Sequence, residues 1–412
     1  MVHVAKEMER QGFKLPLMVG GATTSRLHTA VKVAPVYSGP VIHVLDASKA
    51  VTVASNLLSM DTGASFAKET KVEYDDMREK FLARKSDVEY VTLEQARDNK
   101  YPIDWSRADI SKPNFTGVKV FEDYPLAELV DYIDWSPFFS TWDLGGTYPR
   151  ILESEKYGVE AKKLFDDANA MLKQLIAEKW LTAKAVIGLF PANTVDESIV
   201  VDSSSLSSGD IAFHMLRQQV KKQGTQHNVS LSDYIAPKDS GRQDYIGAFA
   251  VTTGIGVDKK VAEFEKNLDD YSAIMIKALA DRLAEALTER IHERVRKEWW
   301  GYASDEKLTN EELIAEKYRG IRPAPGYAAC PDHTEKATIW KLLDTQKNTG
   351  IELTSSYAMY PTASVSGWFF AHPEVKYFGV GKVAKDQVEH IAKLKGMTVE
   401  DMERWLGPNL GY

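Results

Sequence analysis

Cysteine occurs once in this sequence, at Cys330. A lone thiol excludes an intramolecular disulfide framework and fits a reducing compartment. Long apolar runs are missing too, and nothing approaches the roughly 20 residues needed to span a bilayer. Positive charge is in short supply: 51 Lys and Arg against 59 Asp and Glu leave a formal net charge of -8. With no basic run, non-specific binding to nucleic acid through phosphate neutralisation is not expected. There is no internal repeat and no low-complexity segment. The opening MVHVAKEMERQGFK alternates charged with apolar residues and has no signal-peptide character. These absences predict a cytoplasmic protein with no membrane or nucleic-acid partner, an enzyme or part of one.

What is present is enough chain, 412 residues, for two or three domains with real cores. The first 60 residues alternate strand and helix patterns. VAKEMERQG reads as a helix that Gly12 can stop, LPLMV and PVIHVL as strands, and ASKAVTVASNLLS as a helix. That alternation argues for a parallel sheet, but two strands are too few for a complete doubly wound domain. Residues 61–99 are charged and helical in pattern. From about 115 the texture changes to short strands (GVKVFE, AVIGLF, SIVVD, YIGAFAVTT) separated by long helices. One helix of about 40 residues is predicted from Asp258 to Trp299, on an apolar repeat that includes Leu268, Tyr271, Leu279, Leu287 and Val295. Asp281, Glu285, Thr288, Glu289 and His292 form a polar row on its other face. The strand spacing is too irregular for a βαβ series, so an α+β domain with a mixed or antiparallel sheet is expected.

Several motifs fail on inspection. Cys330 and His333 form one Cys-x-x-His, but a structural zinc site wants four such ligands. HERVR has an arginine where a zinc-protease helix needs its second histidine. GIGVDK lacks the third glycine of a dinucleotide loop, and GLFPAN has no serine nucleophile. Two segments dense in aromatics remain, DYIDWSPFFSTWDLGGTYPR and SYAMYPTASVSGWFFAHPEVKYFGVGK. They suit a flat, mostly apolar ligand with charged ends, and they suit an ordinary core equally well. The stretch GIRPAPGYAACPDHTEK, with three prolines and two glycines, reads as a turn or as a ligand loop that presents Arg322 and Tyr327.

In order along nearly the whole chain, LPLMVGGATTSRLHTAVKVAP, YIDWSPFFSTW, YPRILE, GLFPAN, DYIGAFAVTTG, ADRLAEA, GIRPAPGYAACPDHTEK, ASVSGWFFAHPEVKYF and ERWLGPNLGY resemble the C-terminal third of cobalamin-dependent methionine synthase. The resemblance implies two parts. Residues 85–412 are similar to the reactivation domain, which binds S-adenosylmethionine. Residues 1–84 are similar to the end of the α/β, Rossmann-like cobalamin-binding domain. The family's enzyme moves a methyl group from methyltetrahydrofolate through methylcobalamin to homocysteine. Inert cob(II)alamin is rescued with a methyl from S-adenosylmethionine and an electron from flavodoxin or a flavoprotein reductase.

Residue by residue, the resemblance implies S-adenosylmethionine contacts at Asp134, Glu285, Arg322, Ala324, Gly326, Tyr327, Tyr377 and Phe378. Phe378 stands where tyrosine is common and removes a hydroxyl. Tyr360 and Thr362 depart from the commoner Trp and Gly. For cobalamin it implies Gly20, Gly21 and Thr23 in one loop and Ala47 and Ser48 in the next. The chemistry agrees: an arginine fork suits the α-carboxylate, Asp134 the α-ammonium, and Glu285 a ribose hydroxyl or the orientation of Arg322. The Asp-x-His-x-x-Gly motif, whose histidine ligates cobalt, has no counterpart here, and zinc belongs to the homocysteine module, which is absent. The expectation is a fragment or a split subunit that needs the remaining modules, holds cobalamin poorly, and makes no methionine alone. The alternative is a non-catalytic module that senses S-adenosylmethionine or docks onto a cobalamin protein or flavoprotein.

Overall fold

The computed structural model describes residues 1–412 apart from 21–24, 45–46, 60, 87 and 203–210. The chain divides into two compact units, Met1–Glu89 and Tyr90–Tyr412.

In the first unit, helix α1 (Val2–Arg10) precedes strands β1 (Leu17–Gly20) and β2 (Val41–Val44). The strands pair in parallel, with Leu17 opposite Val41 and Gly20 opposite Val44. A parallel pair cannot be joined by a tight hairpin. Residues 26–36 make the crossover as short helical turns. Helices α2 (Ala47–Leu58) and α3 (Gly63–Ser86) follow. The His43 N–H donates to Tyr74 Oη of α3 at 2.7 Å, and Ala5, Val19, Val33, Tyr37 and Val41 close a small core.

The second unit is built on β3 (Gly117–Phe121), helix α4 (Gly158–Ala177), β4 (Thr182–Val195), β5 (Ser198–Val201), β6 (Ile211–His214) and β7 (Asp244–Ile255). Helices α5 (Val257–Lys266), α6 (Asp270–Arg294) and α7 (Glu335–Leu343), strand β8 (Ser364–Phe369) and helix α8 (Lys385–Lys395) follow, with shorter elements between and after them. The strands form one sheet in the order β8-β7-β4-β5-β6, with β3 also on β4, and every pair is antiparallel. Successive residues face opposite sides, so the strands feed two cores. Ala185, Ile187, Leu189, Phe249, Val251 and Phe369 pack with α4 and α6. Val186, Phe190, Ile246, Ala248, Trp368 and Phe370 pack with α7 on the other side. The α+β expectation with an antiparallel sheet and long helices therefore holds.

One reading changes, and one left open is decided. The single helix from Asp258 to Trp299 is two helices, with a π-type turn over Val295–Trp299. Leu268 takes a left-handed φ of 57° and is 91% exposed. Next to it, Asp269 Oδ1 accepts the Ser272 N–H at 3.0 Å and restarts the helix. A capping aspartate outweighs the apolar repeat there. The aromatic-dense segments are also chiefly core: Trp135, Phe138, Phe139, Trp368, Phe369 and Phe370 are buried. Hidden in the second of them is β8.

On β6, His214 Nδ1 lies 2.9 Å from Ser198 Oγ of β5, and the His214 N–H donates to Glu335 Oε1. Burial first, then Lys395 and His390, push its ring down to about 4, against the pull of Asp332. The unfolded chain takes up this proton near 6.5 and the folded chain only near 4. The stability it contributes is therefore complete above pH 6.5 and falls away as pH drops toward 4. NMR titration should show a neutral His214 ring throughout that window; a ring that titrates near 6.5 would contradict the burial argument.

Candidate functional site

Arg322 lies on a chain segment laid along the free edge of β8. Ile321 exchanges both backbone hydrogen bonds with Phe370 (3.1 and 3.0 Å), and the Trp368 N–H donates to Pro323 O at 2.9 Å. Covering that edge satisfies β8 and fixes where Arg322 leaves the backbone. Gly367 lets the segment come this close, since a Cβ there would sit 2.4 Å from Pro323 O. Gly367→Ala should therefore lift the segment and cost about 1–3 kcal/mol, an overpacking penalty. An unchanged denaturant midpoint would show that the contact relaxes freely.

Beyond Arg322 the chain makes a tight loop. The Gly326 N–H donates to Cys330 O at 2.7 Å and the Cys330 N–H to Tyr327 O at 3.0 Å. Gly326 has φ +93°, and a Cβ there would meet the His333 ring at 2.1 Å. Prolines 323 and 325 stiffen the approach. Tyr327 is 67% exposed. Cys330 is buried in the α7-side core, and burial, Glu335 and Asp332 push its thiol up. Among the described residues, no group of three or more His, Cys, Asp and Glu side chains could hold a metal ion. Asp332 Oδ1 accepts the Thr334 N–H at 2.8 Å just before α7, while the Thr334 side chain does not cap the helix.

The Arg322 side chain enters a cavity of about 150 Å³ lined by Tyr132, Asp134, Arg282, Glu285, Glu289, Leu313, Ile314, Glu316 and Arg322. Asp134 comes from the turn before a short helix, where its Oδ1 accepts the Ser136 N–H at 2.9 Å. Its Oδ2 has no partner among the described residues. Arg282, Glu285 and Glu289 project from α6 at i, i+3 and i+7, so they share one face. Glu285 is exposed, Arg282 half-buried, and neither is paired among the described residues. Tyr327 shares this neighbourhood: partial desolvation and the Glu285 charge push its phenol up, against Arg282.

The carboxylate that pairs with Arg322 is Glu289, one turn beyond Glu285, with Nη2 to Oε2 at 2.7 Å. Orientation of Arg322 by Glu285, one of its two expected roles, is therefore not what the structure displays. Arg322 Nη1 donates to Tyr318 Oη at 2.7 Å and lies 3.2 Å from His292 Nδ1. The Arg322 N–H donates to Tyr377 Oη at 3.1 Å. Burial would depress the guanidinium, but Glu289, Tyr318, Tyr377 and Glu285 outweigh it and leave it raised. Burial raises Glu289, against Arg322 and Arg296. Burial, Arg296 and Arg322 hold His292 far below the usual histidine range, so its ring is neutral.

The structure thus gathers Asp134, Glu285 and Arg322 around one cavity, with Tyr327 near Glu285 on the loop that also carries Ala324 and Gly326, and with Tyr377 on the Arg322 backbone. Phe378 is different: its ring packs against two hydrophobic clusters. In the first unit, Gly20 ends β1, and Ala47 and Ser48 open α2 rather than lying in a loop before it. Gly21 and Thr23 fall outside the described residues. Sequence reasoning missed Tyr318 and the part Glu289 and His292 play. The polar row on α6 held the signal for the latter two.

Fold and site together define an α+β domain with an arginine-clamped, acid-rich cleft at the edge of an antiparallel sheet. The family model described as vitamin B12 dependent methionine synthase, activation domain, matches residues 125–396. A solved structure described as the MetH reactivation domain bound to AdoHcy is 56% identical, with a TM-score of 0.76. That alignment covers 78% of this chain and 99% of the other. The chain belongs to the activation-domain family of the vitamin B12-dependent methionine synthases.

Proposed function

We propose that the second unit binds S-adenosylmethionine at the Arg322 cavity and presents its methyl group for reductive reactivation of cobalamin. The observation that carries this is the juxtaposition of a clamped arginine with two carboxylates, Asp134 and Glu285, that no cation pairs among the described residues. At about 150 Å³ the cavity is smaller than the ~300 Å³ a drug-sized ligand needs, so it takes one end of the molecule. The methionine end fits: its α-carboxylate to Arg322, its α-ammonium to Asp134. Ribose and adenine then lie outward, over Glu285, the 324–327 loop and the exposed Tyr327 ring. The lining carries Asp134, Glu285, Glu289 and Glu316 against Arg282 and Arg322, an excess of negative charge that favours a sulfonium ligand. The structure that is 56% identical was solved with AdoHcy, which supports the same ligand class.

None of these groups acts as an acid or base in the transfer. Cobalamin, when bound, supplies the nucleophile, and the protein's share is alignment of the methyl donor. We assign residues 1–84 to the end of the cobalamin-binding domain. The paired ends of β1 and β2 fit that reading, because parallel sheets bind ligands at the C-terminal ends of their strands. A Cβ on Gly20 would come 2.8 Å from Val44 O, so these strand ends approach closely. Methionine formation itself belongs to the full enzyme, and flavodoxin or a flavoprotein reductase, in the cytoplasm, supplies the electron. No helix among the described residues is long and apolar enough to cross a membrane. The family match does not favour a free-standing sensor or docking module.

Titration calorimetry of the purified chain with S-adenosylmethionine tests the binding; no heat at millimolar ligand rejects it. Adding cob(II)alamin and a reductant, and following methylcobalamin by absorbance, separates methyl transfer from mere sensing.

A further inference from the structure

The inner half of the Arg322 site is more elaborate than ligand binding alone requires. A guanidinium can only donate, so His292 Nδ1, 3.2 Å from Arg322 Nη1, has to accept, which assigns the ring proton to Nε2, a buried atom with no partner among the described residues. The ring cannot turn freely: it stacks on Phe369 with centroids 5.3 Å apart and meets Tyr318 edge-on at 4.9 Å. Tyr318 Oη takes the second Nη1 hydrogen. Glu289 takes Nη2, and its other oxygen faces Arg296 Nη1 at 3.8 Å. Arg296 is fully buried and held in turn by Glu306, with Nη2 to Oε1 at 2.7 Å. The π-type turn over Val295–Trp299 carries Arg296 into this row. Three side chains therefore grip Arg322 on Nη1 and Nη2. Among the described residues nothing pairs its Nε.

We propose that Tyr318, His292 and Glu289 are positioning residues that lock the Arg322 guanidinium so that its Nε edge is the one offered to the ligand carboxylate. The inference rests on the reading in which this cavity takes the methionine end of S-adenosylmethionine. It explains why a histidine sits among two arginines: only a neutral ring with a bare Nδ1 can accept from Arg322, and a charged one would push it away. A lysine at 322 could not be gripped in this way, because it lacks the planar fork.

The test is a double-mutant cycle on the full chain, read by calorimetric titration with S-adenosylmethionine. Tyr318→Phe keeps the ring and removes one acceptor. It should weaken binding about 5- to 10-fold, the scale of one hydrogen bond to a charged group. In the Arg322→Lys background the same change should cost less than about 2-fold, because the clamp has nothing to hold. Equal losses in both backgrounds, or no loss in the first, overturn the proposal. His292→Asn, which keeps an acceptor, should bind more tightly than His292→Phe; the reverse order counts against it. If these buried variants do not fold, the Tyr318 cycle still decides. Nitrogen-15 NMR of the unliganded chain gives a reading that needs no ligand. A neutral ring protonated on Nε2 is expected, and a proton on Nδ1 overturns the clamp. Failure of the wild-type chain to bind rejects the function proposed above, whereas wild-type binding with an inert Tyr318→Phe rejects the clamp alone.

Discussion

Replacing Arg322 with alanine is expected to weaken S-adenosylmethionine binding about 100-fold or more, roughly 3 kcal/mol. Two effects add. The carboxylate loses its charge-assisted partner, and Glu289, buried and already raised by that burial, loses its closest cation. With only Arg296 left at 3.8 Å, Glu289 is held less firmly as an anion. The same variant should therefore lose some fold stability, about 1–2 kcal/mol, as buried groups do when a partner goes. Adding Glu289→Gln separates the two. The double variant should recover stability, since an amide has no charge to compensate, and should recover no affinity. Calorimetry gives the affinity and urea unfolding the stability. Affinity within 3-fold of wild type would mean that the 320–327 loop is a turn and the ligand binds elsewhere.

Why this site could be partly read in advance is a matter of range. The loop announced itself locally: prolines and glycines around one arginine constrain only their neighbours, and those constraints are visible in the order of residues. The polar row on α6 was visible because helical spacing is a local rule. What packs against what was not. Glu285 and Glu289 lie one turn apart on the same face, and their chemistry does not say which one meets Arg322. That is decided by the Ile321–Phe370 pairing, which sets where Arg322 leaves the sheet edge. Tyr318 carried no signal, because its role depends on a turn at 315–320 delivering its hydroxyl to Nη1. The predicted 40-residue helix failed on a different competition. The apolar repeat ran on through Leu268, but an aspartate at 269 could cap a new helix, and the chain broke there.

The largest effect on stability is expected from Arg217→Met. Arg217 is 2% exposed and lies at the wall of a second cavity, of about 590 Å³, that shares no lining residue with the Arg322 site. Its Nε donates to Glu197 Oε1 at 2.8 Å, its Nη2 to Asp233 Oδ1 at 2.6 Å, and its Nη1 to Asp233 Oδ2 and Asn228 O, both at 2.8 Å. Gln387 closes both backbone groups of Arg217, at 2.7 and 2.9 Å. One guanidinium thus joins segments around residues 197, 228 and 233, while its own backbone ties them to α8. Burial would raise Glu197, but Arg97 and Arg217 together hold it low. Methionine fills much of the volume and restores none of the charge, so buried Glu197 keeps only Arg97 and buried Asp233 loses its ion-pair partner. Breaking such a network from one side costs about 3–5 kcal/mol. The loss should persist at high salt, since buried pairs are poorly screened. Adding Glu197→Gln removes one stranded charge, and the double variant should be more stable than Arg217→Met alone. If the single variant loses less than about 1 kcal/mol, or the two substitutions simply add, the network is not acting as a coupled unit. Below its melting range the Arg217→Met chain should still bind S-adenosylmethionine with wild-type affinity, because the clamp on Arg322 is anchored on α6 and the β8 edge and uses none of these residues.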